Sequence, residues 1–295
     1  MLSGAFDVVG TATDGLEALD TARRVNPDVI VLDVEMPGMN GFQICRMLER
    51  SGLAAPVVFL SMHDADEIVA EAFRCGGRGY VVKRRVGSDL VGAIDHAVNG
   101  RSFVPSLNAL LPLAGDGLHA MQVYQDDEAF VEGLAGLFDA ALRSGDATCI
   151  IASKRIREGL ADRLRAKGWD VGGSSGHRRY LALDASEALS RFMRSGLPDP
   201  DRLAEIAREL DEFRRAVCEG VTSRLTVCGN TAVQLIAGGN TQAALALERQ
   251  WSALTLGLPF LTVCGYSSSC FQEDRPGLWS GTCTEHRALS HATDV

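Results

Sequence analysis

The chain has 295 residues, a length that suggests two domains, and its 46% hydrophobic content is enough to build a core in each. A formal net charge of −9 and an isoelectric point near 5.2 argue against an extended nucleic-acid-binding surface, although a small basic module could still be present. No basic segment followed by an apolar core opens the chain, and polar residues interrupt its two long uncharged stretches, 225–247 and 250–272. We therefore predict no signal peptide and no membrane span, and we expect a cytoplasmic protein without a membrane partner.

The first strong signal is a short apolar run that ends on an acidic residue. Residues 29–32 lead to Asp33, and the Pro/Gly-rich loop 34–41 follows at once. In open α/β sheets, ligands sit just beyond the carboxyl ends of the strands. Asp33 is therefore a candidate phosphate acceptor or metal ligand, and a turn or helix-capping aspartate is the plain alternative.

Two further strand-like runs also end on polar residues. The run 57–60 ends on Ser61, and the run 79–82, which contains Tyr80, ends on Lys83. Strands that alternate with helices predict a parallel sheet with crossover helices. The helix-like segments between and after these runs span residues 41–49, 66–75 and 88–98.

With Asp, Ser and Lys at three successive strand ends, residues 5–105 resemble a response-regulator receiver domain of the NarL/LuxR type. The resemblance implies a flavodoxin-like fold and a sensor histidine kinase as partner. Phosphoryl transfer passes through a charged transition state, which suits a positioned lysine and a hydroxyl donor. The implied roles are phosphoacceptor for Asp33, phosphoryl contacts for Ser61 and Lys83, and a rotamer switch for Tyr80. The resemblance also implies Mg²⁺ ligation by Asp33 and the Glu35 backbone carbonyl, and Mg²⁺ is expected only if the native protein carries the acidic pair that such receivers have near their start.

One part of the receiver pattern is missing from the start of the sequence. Receivers of this kind open with a strand that ends in an acidic Mg²⁺-binding pair, whereas residues 1–10 look like the end of the first helix running into the second strand. Roughly 20 residues would be lacking, given typical element lengths. The lost strand is central in the family's order, so we expect an open hydrophobic slot and unpaired strand edges. Two interpretations stay open. Met1 is an internal methionine, which we favour because the strand-end residues are in place, or the receiver is degenerate and no longer takes phosphate.

After a predicted linker over 106–118, marked by Pro112 and a turn at 115–117, the alternation of strands and helices resumes. We therefore predict a second α/β domain. Its predicted strands are 148–152, 169–171, 180–184, 224–228 and 259–264, and its predicted helices are 125–144, 154–166, 186–194, 201–218 and 241–253.

Four segments carry a second resemblance: residues 119–124, 238–251, 261–266, and Cys283 together with His286. They resemble the MEDS domain, a sensory module first described in methanogen and methylotroph regulators, over residues 119–286. The resemblance implies a RecA/KaiC-like α/β fold and a regulatory protein or small-molecule ligand. A Gly-Glu-Met usual before the long helix is Gly229–Thr231 here, which puts any role of that acidic residue in doubt. The predicted organisation is an incomplete receiver over 1–105, the linker, a MEDS-like domain over 119–286, and a tail over 287–295.

A nucleotide-hydrolysing site finds little support in the second domain. A P-loop would follow the strand 148–152, but residues 152–156, which include Lys154, contain no glycine. The Gly-rich basic stretch 172–179, with His177, is better explained as a solvated connection than as an anion site. Asp184 is better explained as a helix cap than as a Walker B acid.

The eight cysteines form no C-x-x-C pair and lie mostly in apolar runs, so we interpret them mainly as small buried hydrophobes. The exception is Cys283–His286, with Cys264 and Cys270 upstream. Zinc ligands are one interpretation, and ordinary tail residues are the one we favour because the spacing is loose. The remaining polar candidates have plain interpretations, with His119 as a packing residue and Glu248 and Arg249 as a solvated helix face.

Three functions remain. The favoured one is a non-catalytic two-component signalling protein, phosphorylated on Asp33 and coupled to the MEDS-like domain. The second is a transcription regulator, but no basic recognition helix follows residue 119, so we do not expect DNA as a partner. The third is a RecA-like ATPase that would depend on Lys154.

Overall fold

The computed structural model describes residues 6–114, 117–171, 178–218, 223–271 and 277–291. The chain divides into two compact units, Met1–Pro105 and Ser106–Val295. Each unit contains a parallel sheet with helices between the strands, which confirms the predicted mixed α/β class with two domains.

The first unit has a four-stranded parallel sheet in the order β1-β2-β3-β4. Its central strands are apolar and buried, as expected for parallel strands covered on both faces. The strands are β1 (Ile30–Asp33), β2 (Val57–Ser61), β3 (Gly79–Val82) and β4 (Ser102–Val104), and the helices are α1 (Gly15–Val25), α2 (Gly41–Arg50), α3 (Asp66–Arg74) and α4 (Val86–Val98).

Local sequence signals explain where the first helices begin. The Asp14 carboxylate accepts hydrogen bonds from the backbone N–H groups of Leu16 and Glu17, which caps α1. Asn40 and Gln43 form a reciprocal capping box at the start of α2, with both hydrogen bonds at 3.0 Å. The capping box at Asn40 and Gln43 fixes the point where the loop after Asp33 ends and α2 begins.

The segment predicted to enter a strand near residue 10 is irregular in the structure. Val8 and Val9 are about half exposed, and residues 6–12 line a groove of about 430 Å³ together with β1. Among the described residues, β1 pairs with β2 alone. The open hydrophobic slot expected from the sequence thus has a counterpart beside β1.

The second unit has a six-stranded parallel sheet in the order β12-β5-β11-β10-β6-β7 and a small antiparallel hairpin of β8 and β9. One face of this sheet forms a core around Phe260, Trp251 and Leu203. The strands are β5 (Leu118–Tyr124), β6 (Ala147–Ala152), β7 (Tyr180–Asp184), β8 (Met193–Arg194), β9 (Leu197–Pro198), β10 (Leu225–Gly229), β11 (Phe260–Ser267) and β12 (Ala288–His291). The helices are α5 (Asp127–Arg143), α6 (Lys154–Ala166), α7 (Ala185–Phe192), α8 (Pro200–Val217), α9 (Thr231–Ala237), α10 (Thr241–Thr255) and α11 (Leu278–Glu285).

Two predicted elements of this unit differ in the structure. Residues 169–171 do not form a strand, because the N–H of Trp169 bonds back to the Leu164 carbonyl and its indole donates to Asp139. The helix predicted over 186–194 ends at Phe192. A tight turn with positive φ at Ser195 and Gly196 then joins β8 to β9.

The chain ends of this unit also carry more structure than predicted. Residues 288–291 of the predicted tail form β12, which pairs in parallel with β5. Within the predicted linker, residues 108–113 form a 3₁₀ helix that contacts α5. Part of the predicted turn at 115–117, and residues 172–177 with His177, lie outside the described residues. In the described part of the chain, no helix is both long and apolar enough to cross a membrane.

Candidate functional site

The carboxyl ends of β1, β2 and β3 lie side by side in the first unit. Asp33 is opposite Leu60 in the β1–β2 pairing, and Ser61 is opposite Val82 in the β2–β3 pairing. Asp33, Ser61 and Lys83 therefore end or follow three adjacent strands, at the edge where α/β folds bind ligands.

Asp33 and Lys83 form the centre of this site. The Lys83 Nζ donates to Asp33 Oδ2 at 2.5 Å, and each side chain is 32% exposed. The second carboxylate oxygen, Oδ1, accepts the backbone N–H of Glu35 at 3.0 Å. One carboxylate oxygen of Asp33 thus shapes the loop, as the turn interpretation expects, and the other contacts the Lys83 ammonium group.

The start of α2 must approach the end of β1 closely to form this loop. The N–H of Gly41 donates to the Val34 carbonyl at 3.0 Å. A Cβ at residue 41 would lie 2.4 Å from the Asp33 carbonyl oxygen, so only glycine fits without a backbone shift.

Ser61 and Tyr80 both hold the loop that follows β2. The buried Ser61 Oγ accepts the N–H of His63 at 3.1 Å, and the Tyr80 hydroxyl donates to the His63 carbonyl at 2.7 Å. Burial raises the pKa of Tyr80 above its usual value, which keeps the hydroxyl protonated as a donor. The two predicted residues thus meet at the backbone of His63.

Sequence reasoning missed the side chains of Glu35 and His63. His63 Nε2 lies 2.8 Å from Glu35 Oε1, and both side chains are about half exposed. Only the backbone carbonyl of Glu35 was assigned a role from the sequence. The sequence feature that could have pointed to His63 is its position two residues beyond the end of β2, at the edge of the sheet where Asp33 lies.

In the second unit, the prediction that Glu248 lies on a solvated face is wrong. Glu248 is buried and groups with His119, Cys264 and His286, whose ligand atoms all lie within 4.8 Å of one another. Burial alone would raise the pKa of Glu248, but the two imidazoles outweigh it and hold that pKa well below its usual range. Arg249, in contrast, is exposed as predicted and pairs with Glu285.

This grouping divides the cysteines and histidines considered as zinc ligands. Cys264 and His286 come together, whereas Cys270 and Cys283 belong to no such group among the described residues. His119 is buried, as the packing interpretation expected, but its contacts are polar. Burial and the neighbouring His286 lower its pKa, and burial and Glu248 raise the pKa of Cys264 well above its usual value.

The residues weighed for nucleotide hydrolysis have other contacts. Lys154 lies on the exposed first turn of α6 and pairs with Glu158 at 3.8 Å. The Asp184 carboxylate caps α7 through the N–H groups of Ser186 and Glu187 and also accepts from Arg157, which confirms the helix-cap prediction.

Comparison with known proteins matches each unit to a family. The model of the response regulator receiver domain matches residues 2–95. The model described as "MEDS: MEthanogen/methylotroph, DcmR Sensory domain" matches residues 118–275, more than half of the chain.

Curated relatives match part of the chain only. The "Probable transcriptional regulatory protein NarL" of Mycobacterium tuberculosis is 38% identical over 107 residues, which cover 36% of this chain and 50% of the relative. The nitrate/nitrite response regulator protein NarL of Escherichia coli is 34% identical over 113 residues, 38% of this chain and 51% of the relative. The chain therefore spans about half the length of the curated relatives it matches.

Among solved structures, a two-component response regulator of the LuxR family from Aurantimonas sp. is 32% identical, with 36% of this chain and 76% of that chain covered and a TM-score of 0.33. The family matches agree with both resemblances seen in the sequence. The chain belongs to the MEDS family, and a response regulator receiver domain precedes its MEDS domain.

Proposed function

We propose that this protein is a phosphorelay signal transduction protein that accepts a phosphoryl group on Asp33 from a sensor histidine kinase. The observation that carries the proposal is the Asp33–Lys83 contact of 2.5 Å at the joined strand ends. It places a nucleophilic carboxylate beside a cation that can balance phosphoryl charge.

In the proposed reaction, one Asp33 carboxylate oxygen attacks the phosphorus of a phosphohistidine. The new P–O bond forms as the P–N bond breaks, and the imidazole of the kinase leaves with its electron pair. Lys83 then pairs with a phosphoryl oxygen, and the part-exposed site leaves room for the donor. The product is an acyl phosphate that carries up to two negative charges.

The residues present suit Mg²⁺ in chemistry, although few of them are acidic. The Asp33 carboxylate and the Glu35 backbone carbonyl would hold the ion, which neutralises charge on the phosphoryl oxygens when bound. Mg²⁺ binds through one or two carboxylates and keeps several waters. Within the described ranges, no cluster of three carboxylate, imidazole or thiol ligands includes Asp33, so the proposed ion depends on the acidic pair expected from the sequence.

Ser61 and Tyr80 would transmit the change to the following loop. Ser61 Oγ holds the N–H of His63, so a phosphoryl oxygen that engages the Ser61 hydroxyl competes with that contact. The Tyr80 hydroxyl holds the His63 carbonyl, so its rotamer depends on the same loop. We propose that this rearrangement is coupled to a partner or ligand of the MEDS domain, and that the protein is not itself an enzyme.

Phosphorylation is tested with the full chain, a small phosphodonor such as acetyl phosphate, Mg²⁺ and intact-protein mass spectrometry. We expect one added phosphoryl group in the wild type and none in Asp33→Asn. The matched control is Asp28→Asn, an exposed aspartate just before the same strand, which should be phosphorylated like the wild type. Equal phosphorylation of the wild type and Asp33→Asn would refute the assignment.

Coupling is tested by hydrogen exchange across residues 118–291 with and without the phosphodonor. The proposal predicts a phosphodonor-dependent change in the wild type that Asp33→Asn lacks. Identical exchange in all four samples would exclude the coupling while leaving phosphorylation intact.

Transcription regulation is a second candidate, because the relatives named above include a transcriptional regulatory protein. A gel-shift titration with pooled genomic DNA fragments at low salt distinguishes the two, since a DNA-binding output retards DNA under those conditions. We predict no retardation by either phosphorylation state.

A further inference from the structure

Four elements of the second unit bring metal-ligating atoms to one buried point. His119 lies on β5, Cys264 on the neighbouring β11, Glu248 on α10, and His286 directly follows α11. The side chains of the two histidines and the glutamate are almost fully buried, at 1–3% exposure. This group, named here the His₂–Cys–Glu cluster, has no role in the proposed phosphorelay chemistry.

The spacing of the ligand atoms suits a metal ion at their centre. His119 Nε2 lies 3.2 Å from Glu248 Oε2 and 3.2 Å from Cys264 Sγ, and His286 Nε2 lies 3.4 Å from Glu248 Oε2. Ligand atoms around a tetrahedral zinc ion are separated by roughly 3.3–3.6 Å, given bonds of about 2.0–2.3 Å. These three separations are close to that range, and the other pairs of ligand atoms, which lie within 4.8 Å of one another, would draw together around an ion.

Both imidazoles are oriented as metal ligands usually are. His286 Nδ1 lies 2.7 Å from the Thr282 carbonyl, which can only accept, so Nδ1 carries the proton. His119 Nδ1 lies 3.0 Å from Ser252 Oγ, whose own proton goes to the Glu285 carbonyl. In neutral rings both Nε2 atoms then carry a lone pair, and each points into the cluster.

The cluster holds more acceptor atoms than protons, because the Cys264 thiol carries a single proton and lies 3.2 Å from His119 Nε2. Within the part of the chain that the structure describes, the buried His286 Nε2 has no hydrogen-bond partner, although Glu248 Oε2 is 3.4 Å away. The Tyr266 hydroxyl donates to Glu248 Oε1, which fixes the carboxylate and leaves Oε2 for the cluster. Two lone pairs and a carboxylate oxygen thus converge in a buried space, where unpaired acceptors are costly and a cation would satisfy all of them.

We propose that His119, Glu248, Cys264 and His286 bind one divalent transition-metal ion, with Zn²⁺ as the ion that best suits two imidazoles, a thiolate and a carboxylate. On binding, the Cys264 thiol loses its proton to water, and the thiolate and the carboxylate together balance the two positive charges. Four protein ligands fill a tetrahedral shell, as in structural zinc sites.

The ion would join segments that are far apart in the sequence. His286 lies between α11 and β12, whereas His119 and Cys264 lie in the paired strands β5 and β11. A metal at the cluster therefore fastens the end of α11 and the start of the segment leading into β12 to β5 and β11, and its removal should loosen residues 277–291 first.

A cavity adjoins the cluster on the side of Cys264. Cys264 is only partly buried, and together with Glu248, Trp251 and Val263 it lines a cavity of about 60 Å³. This side offers a route for the ion and for a chelator.

The test uses the untagged full chain purified without chelator and analysed for metals by inductively coupled plasma mass spectrometry. We expect about one zinc per chain, or one equivalent taken up on titration of the apo protein. An apo protein that binds no Zn²⁺ in the micromolar range overturns the proposal.

Two cysteine variants locate the site. Cys264→Ser should weaken Zn²⁺ binding by more than the roughly 10–100-fold that second-shell contacts are worth. Cys283→Ser, which alters a cysteine outside the cluster, should bind like the wild type. Equal affinities of the two variants, or loss in Cys283→Ser alone, would place the metal elsewhere and overturn the assignment.

A spectroscopic readout decides the matter if Cys264→Ser fails to fold. Co²⁺ added to the wild-type apo protein should give the intense visible bands of a tetrahedral site and a thiolate-to-cobalt charge-transfer band. A spectrum without the charge-transfer band excludes Cys264 as a ligand.

Discussion

The candidate sites of the two units hold their charged side chains in opposite environments, one partly exposed to solvent and the other buried. In the receiver unit, Asp33 and Lys83 meet at the strand ends with 32% of each side chain exposed. In the MEDS unit, Glu248 meets His119 and His286 with only 1–3% exposed. An exposed pair can separate and accept a phosphoryl group at little cost, whereas a buried carboxylate needs permanent partners.

The difference also separates what each site can do. The receiver site holds a nucleophile that solvent and a donor can reach, which suits transient chemistry. The cluster holds ligand atoms within 4.8 Å of one another in a mostly buried space, which suits a resident ion. Under the two proposals, exposure therefore distinguishes the site of a transient reaction from the site of a resident ion.

The largest contrast in stability is expected between two glutamates. Glu248→Ala removes a buried carboxylate that contacts both imidazoles and leaves the Tyr266 hydroxyl without its acceptor, so it should lower the free energy of unfolding by about 3–5 kcal/mol. Glu35→Ala removes an exposed partner of His63 and should cost about 0–1 kcal/mol. Urea denaturation followed by circular dichroism, with a chelator present, measures both. Similar losses for the two variants would contradict the contrast.

Packing should differ between the units at two glycines. A Cβ at Gly265 would lie 2.3 Å from the buried Phe130 ring, so Gly265→Ala should destabilise the MEDS unit by about 1–3 kcal/mol. At Gly92 in α4 the nearest atom is 3.9 Å away, so Gly92→Ala should stabilise the receiver unit by about 0.5–1 kcal/mol. Thermal denaturation gives the signs. A stabilising Gly265→Ala would show that the β11 surface can yield.

Substitution of Lys83 should affect the rate of phosphorylation much more than the stability of the fold. Lys83→Ala breaks a part-exposed ion pair and should change the free energy of unfolding by no more than about 1 kcal/mol. The same variant should accept a phosphoryl group far more slowly, since the cation beside Asp33 is lost. Denaturation and the rate of phosphorylation by acetyl phosphate are compared. An unchanged phosphorylation rate would remove Lys83 from the site.

The smallest change in the free energy of unfolding is expected at Arg249, the residue that follows Glu248 in the sequence. Arg249 adjoins Glu248 in sequence but is exposed, so Arg249→Ala should stay within about 0.5 kcal/mol of the wild type. The same urea titration applies. A loss comparable to that of Glu248→Ala would mean that the two residues share one environment.

The receiver site was predictable because its geometry follows from local patterns. Apolar runs that end on Asp33, Ser61 and Lys83 define parallel strands, and parallel strands align their carboxyl ends. The contacts of His63 with Glu35 were not predictable, since loop side chains after a strand carry no periodic signal.

The cluster was not predictable as a unit, because its members come from distant parts of the chain. Glu248 adjoins the buried Leu247 on α10, and helical spacing alone does not say how far the buried face extends to either side of Leu247. Its burial depends on His119 and His286, which arrive from β5 and from the end of α11. The short strand β12 was not predictable for the same reason, since its partner β5 lies far upstream in the sequence.

We propose that one chain carries two chemically separate sites, a phosphoacceptor at Asp33 and a metal at the His₂–Cys–Glu cluster. The most direct measurement is mass spectrometry of zinc-loaded, phosphodonor-treated protein, under native conditions for the metal and denaturing conditions for the phosphoryl group. The wild type should carry both, Asp33→Asn only the metal, and Cys264→Ser only the phosphoryl group. A wild type that carries neither, or a single variant that loses both while still folded, would refute the assignment of two separate sites.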